Sequence, residues 1–184
     1  MIIKNEHYTI KTNKDTTFRL DSADNHFYDH VLNPLKLSRS NSYDVLSISI
    51  DDGIQEKCLA LVGDLFCSTE KIVITKGHDL IVLEGFSIIV IDCRTRKVTE
   101  QHDLETAMGI AIYEFDGGYV IHGELEIIKL SATLEIEWVF TGGETFVRFD
   151  GDCSFEIKGD KIHVVDWDNV RYEIDKFGNG KIVK

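Results

Sequence analysis

The sequence predicts an all-β fold, an antiparallel meander of short strands with little helix. Three observations predict it. From about residue 43 onward the 184-residue chain is a succession of short segments rich in Ile, Val, Phe and Tyr, the residues that suit a pleated, half-buried surface. Turn residues punctuate them: Asp116-Gly117-Gly118, Thr141-Gly142-Gly143, Lys158-Gly159-Asp160 and Phe177-Gly178-Asn179-Gly180 offer the positive-φ positions that tight hairpins need. The apolar pattern also repeats along the chain with a period near 40 residues.

Taken in order, strands are expected at Asp44–Ile50, Lys57–Val62, Lys71–Thr75, Leu80–Leu83, Phe86–Asp92 and Lys97–Glu100. They continue at Gly109–Phe115, Gly118–His122, Leu125–Leu130, Glu135–Phe140 and Glu144–Phe149, and end with Ser154–Lys158, Lys161–Val165, Val170–Ile174 and Gly180–Val183. In Glu124-Leu125-Glu126-Ile127 and Leu134-Glu135-Ile136-Glu137-Trp138 acid alternates with apolar, which predicts one buried and one wet face. Helix signals are sparse. Glu105–Met108 is long enough for one turn. His26–Leu35 is readable as a short helix capped by Asn25, with Pro34 disfavouring its continuation. Asp21–Ser42 is the least regular stretch, and a single domain over 1–184 is expected, with 1–42 its less regular N-terminal segment.

The repeat aligns Asp79–Asp92 with Gly118–Ser131 at an offset of 39, without a gap, and Lys161–Asp175 takes the same form about 43 residues later. Each unit holds an apolar strand, a short turn, a second strand ending in an acidic residue or Ser, and a third strand at Lys97-Val98, Ile136-Glu137-Trp138 or Lys181-Ile182-Val183. The run Ile162–Asp175, followed by Gly178-Asn179-Gly180-Lys181-Ile182, resembles a β-propeller blade, and the resemblance extends over residues 78–184. It implies a propeller-like fold of about four short blades. A sandwich or barrel of hairpins is the alternative. No WD dipeptide closes a strand as it does in one propeller family, since Trp167-Asp168 falls in a turn, and no Trp recurs at a fixed place in every unit.

The chain carries 20 Lys+Arg against 32 Asp+Glu, a net charge of −12. That balance argues against nucleic-acid or anionic-membrane binding, which needs clustered Lys and Arg. The acidity is uneven: residues 1–42 carry a net +1, residues 43–100 a net −4 and residues 101–184 a net −9. The N-terminus has no basic stretch followed by an apolar core, and the longest apolar runs, such as Ile88–Ile91, have strand length. Cys58, Cys67, Cys93 and Cys153 form no CxxC pair, and Cys58 and Cys93 sit in apolar contexts expected to hold buried thiols. A cytoplasmic location is the expectation.

Catalytic constellations are thin. His26 and His30, four apart, would share a helix face and suit a metal, with Asp24 or Asp29 to complete a site, but Phe27 stands where a general-base Glu would be needed. There is no GxSxG, and the Gly-Gly pairs fall in hairpin turns rather than before helices. His122 and His163 occupy matching strands and are expected to pack. Paired carboxylates (Asp51-Asp52, Asp166/Asp168, Glu135/Glu137) arise readily in an acidic chain. No cofactor, no metal and no enzymatic activity are expected.

Size, acidity and the lack of a catalytic constellation are together similar to small acidic bacterial immunity proteins. That resemblance implies an antitoxin-like module whose acidic face masks the active site of a basic, nuclease-like toxin. A small hydrolase or metal enzyme using His26 and His30, and a structural propeller-like scaffold, are the alternatives. The expected contact residues are Glu124, Glu126, Glu135, Glu137, Asp166 and Asp168, with Trp167 as an aromatic anchor between two carboxylates. Trp138 is the more natural inter-sheet plug.

Overall fold

The computed structural model describes residues 1–23, 25, 28–65, 71–104, 108–147 and 155–183. Among these residues are seventeen strands and no helix. The chain divides into two compact units, Met1–Leu104 and Glu105–Lys184.

The first unit holds two sheets. One is formed by β1 (Ile2–Lys4), β2 (Thr9–Lys14), β3 (His30–Leu32), β4 (Asp44–Asp51) and β5 (Glu56–Gly63), in the order β1-β2-β4-β5-β3. Its pairings are antiparallel except that β3 runs parallel to β5. The other is a four-stranded antiparallel meander of β6 (Val73–Lys76), β7 (Asp79–Glu84), β8 (Ser87–Asp92) and β9 (Lys97–Asp103). Tyr8 Oη to His78 Nδ1 at 2.9 Å, Asn5 Nδ2 donating to Gly77 O at 3.1 Å and the Arg96–Asp52 ion pair at 3.5 Å tie these two sheets together.

The second unit repeats the meander twice. Its sheets are β10 (Gly109–Phe115), β11 (Gly118–Gly123), β12 (Glu126–Leu130) and β13 (Ile136–Thr141), then β14 (Phe155–Lys158), β15 (Lys161–Val165), β16 (Arg171–Asp175) and β17 (Gly180–Val183). The fold is all-β, and three of its four sheets have the blade form: four consecutive antiparallel strands. The sequence repeat corresponds to the two inner strands of these sheets, β7–β8, β11–β12 and β15–β16, with the fourth strand where the repeat continues.

The detail of the repeat has a physical origin. Each second inner strand ends in, or is directly followed by, a residue whose side-chain oxygen closes the next turn. Asp92 Oδ1 accepts from Arg94 N at 2.9 Å and Thr95 N at 2.8 Å. Ser131 Oγ accepts from Thr133 N at 3.1 Å and Glu135 N at 3.2 Å, and Asp175 Oδ1 accepts from Phe177 N and Asn179 N, both at 2.9 Å. A short polar side chain is what such turns require, hence "acidic or Ser" at that position. The first two meanders also share a β-bulge: the register slips between Val90 and Ile91 in one and between Lys129 and Leu130, 39 residues on, in the other.

Burial separates the sheets. Every described residue of β8 and β11 is buried, so both faces of those strands are covered, and apolar residues run unbroken over Ile88–Ile91 and Tyr119–Ile121. β15 and β16 alternate, with Ile162, Val164, Tyr172 and Ile174 inward. On the wet face Glu173 takes Lys161 and Lys181, each at 2.8 Å. Hydrogen bonds from these two lysines bring the Glu173 carboxyl down to about 2.

Gly118 opens β11 where no side chain fits: a Cβ there would stand 2.2 Å from the Leu130 carbonyl oxygen. Gly118→Ala must push the β11–β12 pairing apart, and a loss of about 3 kcal/mol in chemical denaturation is expected. A loss below about 0.5 kcal/mol would show that the strand ends move freely.

Three expectations are corrected. The first 42 residues are not merely irregular, since they supply β1, β2 and β3. The short helix expected over His26–Leu35 is absent from its described part, where 30–32 form β3. Asp29 explains this. Its backbone N donates to Cys58 O at 2.7 Å, and its carboxylate accepts from Cys58 N at 2.8 Å and Lys57 Nζ at 2.9 Å, fastening the segment along β5. The strand expected at Glu144–Phe149 is not formed over its described residues, 144–147. Phe146 N there donates to Glu124 O and Val147 N to Thr145 Oγ1, rather than to a ladder. The turn expected at Glu105–Met108 lies mostly outside the described residues, as do His26, Asp24, Cys67 and Cys153. Cys93 is buried as expected, and burial pushes its thiol up to about 12, whereas Cys58 is only half-buried.

Glu84, at the end of β7, is the most unusual side chain of the first unit. It is buried, and its carboxylate lies over the end of β5: a Cβ on Gly63 would stand 1.2 Å from Glu84 Oε1. Burial pushes its carboxyl up to about 7. The backbone N–H of Asp64 offsets this only in part, and the Asp64 charge adds to it.

Candidate functional site

The acidic residues expected to bind a partner all lie in the second unit, which holds 8 Lys+Arg and 16 Asp+Glu. They fall in two groups. Glu124 and Glu126 flank the β11–β12 turn, while Glu135 and Glu137 stand at the other end of β12. At about 3.3 Å per residue, β12 alone separates the two groups by about 13 Å.

At the β11–β12 end three loops are joined by hydrogen bonds. Glu124 O accepts from Phe146 N at 2.7 Å and Thr145 Oγ1 at 2.8 Å. Trp167 N, in the β15–β16 turn, donates to Thr145 O at 2.8 Å. Gly143 N donates to Tyr172 Oη at 3.0 Å, and Tyr172 Oη donates to Asp166 Oδ2 at 2.9 Å. Asp166 Oδ1 accepts from Val170 N at 2.9 Å, and Asn169 takes φ 65° to close that turn. Beneath them Phe146 is fully buried against Tyr172 and Phe140. The turn that carries Trp167 is therefore built on a rigid base.

This geometry sorts the expected contact residues. Asp166 is buried at 1% exposure, and its carboxylate holds the turn through Tyr172 and Val170. Its neighbours point outward: Trp167 is 52% exposed, and Asp168 is exposed. Glu124 is exposed and Glu126 half-buried. Leu125, 49% exposed, joins them because β12 begins at Glu126 and leaves Leu125 in the turn. The expected alternation fails there, and sequence reading missed Leu125 by placing it inside a strand. Its position directly after Glu124, between two buried strands, was the available signal. The exposed Glu144 lies on the middle loop of the three.

Glu135 and Glu137 have other settings. Glu135 closes the β12–β13 turn through its backbone. Glu137 is the extra residue of the bulge, which turns its carboxylate toward the buried Lys129, at 3.0 Å from Nζ. Lys129 Nζ also donates to Leu130 O at 2.7 Å. Glu137 thus compensates a buried charge. The wet, acidic face expected for β13 is also mixed, since Ile136 and Val139 are exposed beside Glu137.

His122 is buried, stacked on Phe155 with centroids 5.0 Å apart, and its Nε2 lies 3.3 Å from Phe146 O. The Trp138 indole N–H donates to Lys176 O at 2.9 Å, and its ring covers Gly178, as expected of an inter-sheet plug. His30 is exposed on the short β3, and Asp29 is engaged by Lys57 and Cys58. Among the described residues no group of three His, Cys, Asp or Glu is placed to hold a metal ion.

No protein-family model matches the chain, and no curated protein matches it. Solved structures similar to it include the N-terminal domain of Nup159, at 12% identity and a TM-score of 0.46, covering 99% of this chain and 51% of that one. BamB from Moraxella catarrhalis is similar at 14% identity and a TM-score of 0.45, covering 87% and 52%. The Cps50 (Swd1) β-propeller domain of Myceliophteria thermophila is similar at 11% identity and a TM-score of 0.42, covering 77% and 55%. The chain spans about half the length of these structures.

Proposed function

We propose that this protein is a non-enzymatic binding module that captures a basic protein at the β11–β12 end of its second unit. In its finer form the reading is that of an immunity protein, one that neutralises a cationic, nuclease-like toxin by covering its active site. One observation supports it above the others: three loops joined by hydrogen bonds carry the exposed Trp167 and Leu125 together with Glu124, Glu126, Glu144 and Asp168. An aromatic anchor within a carboxylate rim suits a Lys- and Arg-rich surface, where the ring takes desolvated cations and the rim steers the encounter. The unit's net charge of −8 acts in the same direction.

The expected partner is a cationic protein encoded beside this chain. The double variant Glu124→Lys/Asp168→Lys is expected to bind it at least about tenfold more weakly in isothermal titration, with an unchanged melting temperature, because both side chains are exposed and support no buried group. The reversal Glu135→Lys, at the other end of β12, is expected to have little effect. Full binding by the double variant, or an equal loss from Glu135→Lys, would remove the site from consideration.

A further inference from the structure

The first unit contains a cavity of about 380 Å³, in the size range of small-molecule sites. It lies where the chain leaves β2 and where residues 39–45 enter β4. Its composition runs against the rest of the molecule. Lys14, Arg19 and Arg39 line it, half of the six Lys and Arg in residues 1–42 of a chain with net charge −12. Among these polar groups the lining also includes Phe18 and Val45, members of a small buried cluster against which Tyr43 packs.

The lining carboxylates are already engaged. Asp44 takes Lys14 Nζ at 2.7 Å. Asp15 accepts from Tyr28 Oη at 2.6 Å, from Thr17 N and Oγ1, and from Phe18 N. Burial opposes its ionisation, but the hydrogen bonds from Tyr28 and Thr17 outweigh this and bring it down to about 2, so it stays anionic as a turn cap. Arg19 and Arg39 are the lining cations that no ion pair engages among the described residues. Arg19 is held by Nη1 donating to Phe18 O at 2.6 Å and Thr16 O at 3.1 Å, which leaves its other N–H donors for a ligand. Arg39 has no carboxylate partner among the described residues.

We propose that this cavity binds a small organic phosphate, its apolar body against Phe18, Tyr43 and Val45 and its charged end between Arg19 and Arg39. Guanidinium groups match phosphate oxygens in paired N–H···O geometry, and apolar lining residues add affinity only for a ligand that carries an apolar body. The two engaged carboxylates narrow the cationic area to these arginines, which disfavours an extended polyanion. All of its lining residues belong to the first unit.

The test is titration of the full chain with phenyl phosphate, inorganic phosphate and phenol, followed by amide NMR shifts. Phenyl phosphate is expected to saturate below about 1 mM and to move residues 39–45, with inorganic phosphate and phenol each at least about tenfold weaker. Arg39→Ala, an exposed substitution that should leave the melting temperature unchanged, is expected to weaken phenyl phosphate at least about tenfold, and Lys97→Ala, outside the cavity, to leave it unaltered. No saturation by about 10 mM, equal binding of inorganic phosphate, or undiminished binding to Arg39→Ala would each overturn the proposal.

Discussion

Glu84→Gln is expected to abolish most of a stability loss that the native protein shows between about pH 5 and about pH 8. The folded-state carboxyl sits near 7, above its ordinary value of 4.5, because it is buried over Gly63. The fold therefore favours the protonated form. Its stabilising effect is complete below the ordinary value and is lost as the pH rises through about 7. A displacement of this size corresponds to about 3 kcal/mol by about pH 8. Gln carries no charge, so the difference in stability between the two proteins should change by about that amount across the interval, whatever constant offset the amide introduces. Urea denaturation at a series of pH values reads this directly, and parallel curves for the two proteins would show that Glu84 is solvated. At lower pH the sign reverses. Glu173 and Asp15 are both held near 2, so the stability they contribute is present above their ordinary values and lost as the pH falls toward 2. The native optimum is expected near pH 5, between the two regimes.

The second large effect separates neighbours in sequence. On the anchoring role proposed for it, Trp167→Ala is expected to weaken partner binding by about 2 kcal/mol, roughly thirtyfold, while costing less folding stability than Asp166→Ala, since the ring is half-exposed. Asp166→Ala is expected to do the opposite at its primary site of action. It strips the acceptor from Tyr172 Oη and Val170 N in a buried setting, which costs about 2 kcal/mol of folding stability and loosens the loop that carries Trp167. Binding measured at a temperature where both variants are folded, alongside denaturant midpoints, distinguishes the roles. A Trp167→Ala protein that binds normally would reduce the ring to surface decoration.

The strand pattern was legible because local chemistry governs it. Apolar runs of strand length and Gly-containing turns placed the elements from β4 onward, with the one exception at Glu144–Phe149. The 39-residue repeat located the inner strands of the later sheets down to the Asp or Ser that closes each turn. What local pattern could not convey was pairing at long range. β3 is three residues of no particular propensity and exists because Asp29 fastens it to Cys58 and Lys57. The candidate site was half legible for the same reason. Asp166, Trp167 and Asp168 look alike in sequence as a charged turn, yet the Tyr172 hydroxyl, six residues on, draws Asp166 inward and leaves the other two outside. Glu135 and Glu137 share the alternating pattern of Glu124 and Glu126. The bulge in β13 and the buried Lys129, features of register rather than composition, assign Glu137 to a different task.

The central claim is that the loops bearing Glu124, Leu125, Trp167 and Asp168 form an acidic capture surface for a cationic protein. The most direct measurement is the association rate constant of that partner with the native chain and with Glu124→Lys/Asp168→Lys, taken across ionic strengths from about 0.02 to about 0.5 M. The account predicts a native rate that falls by about tenfold or more over this range, and a double variant that starts slower and shows a much flatter dependence. Rates that coincide for the two proteins at every ionic strength would contradict it.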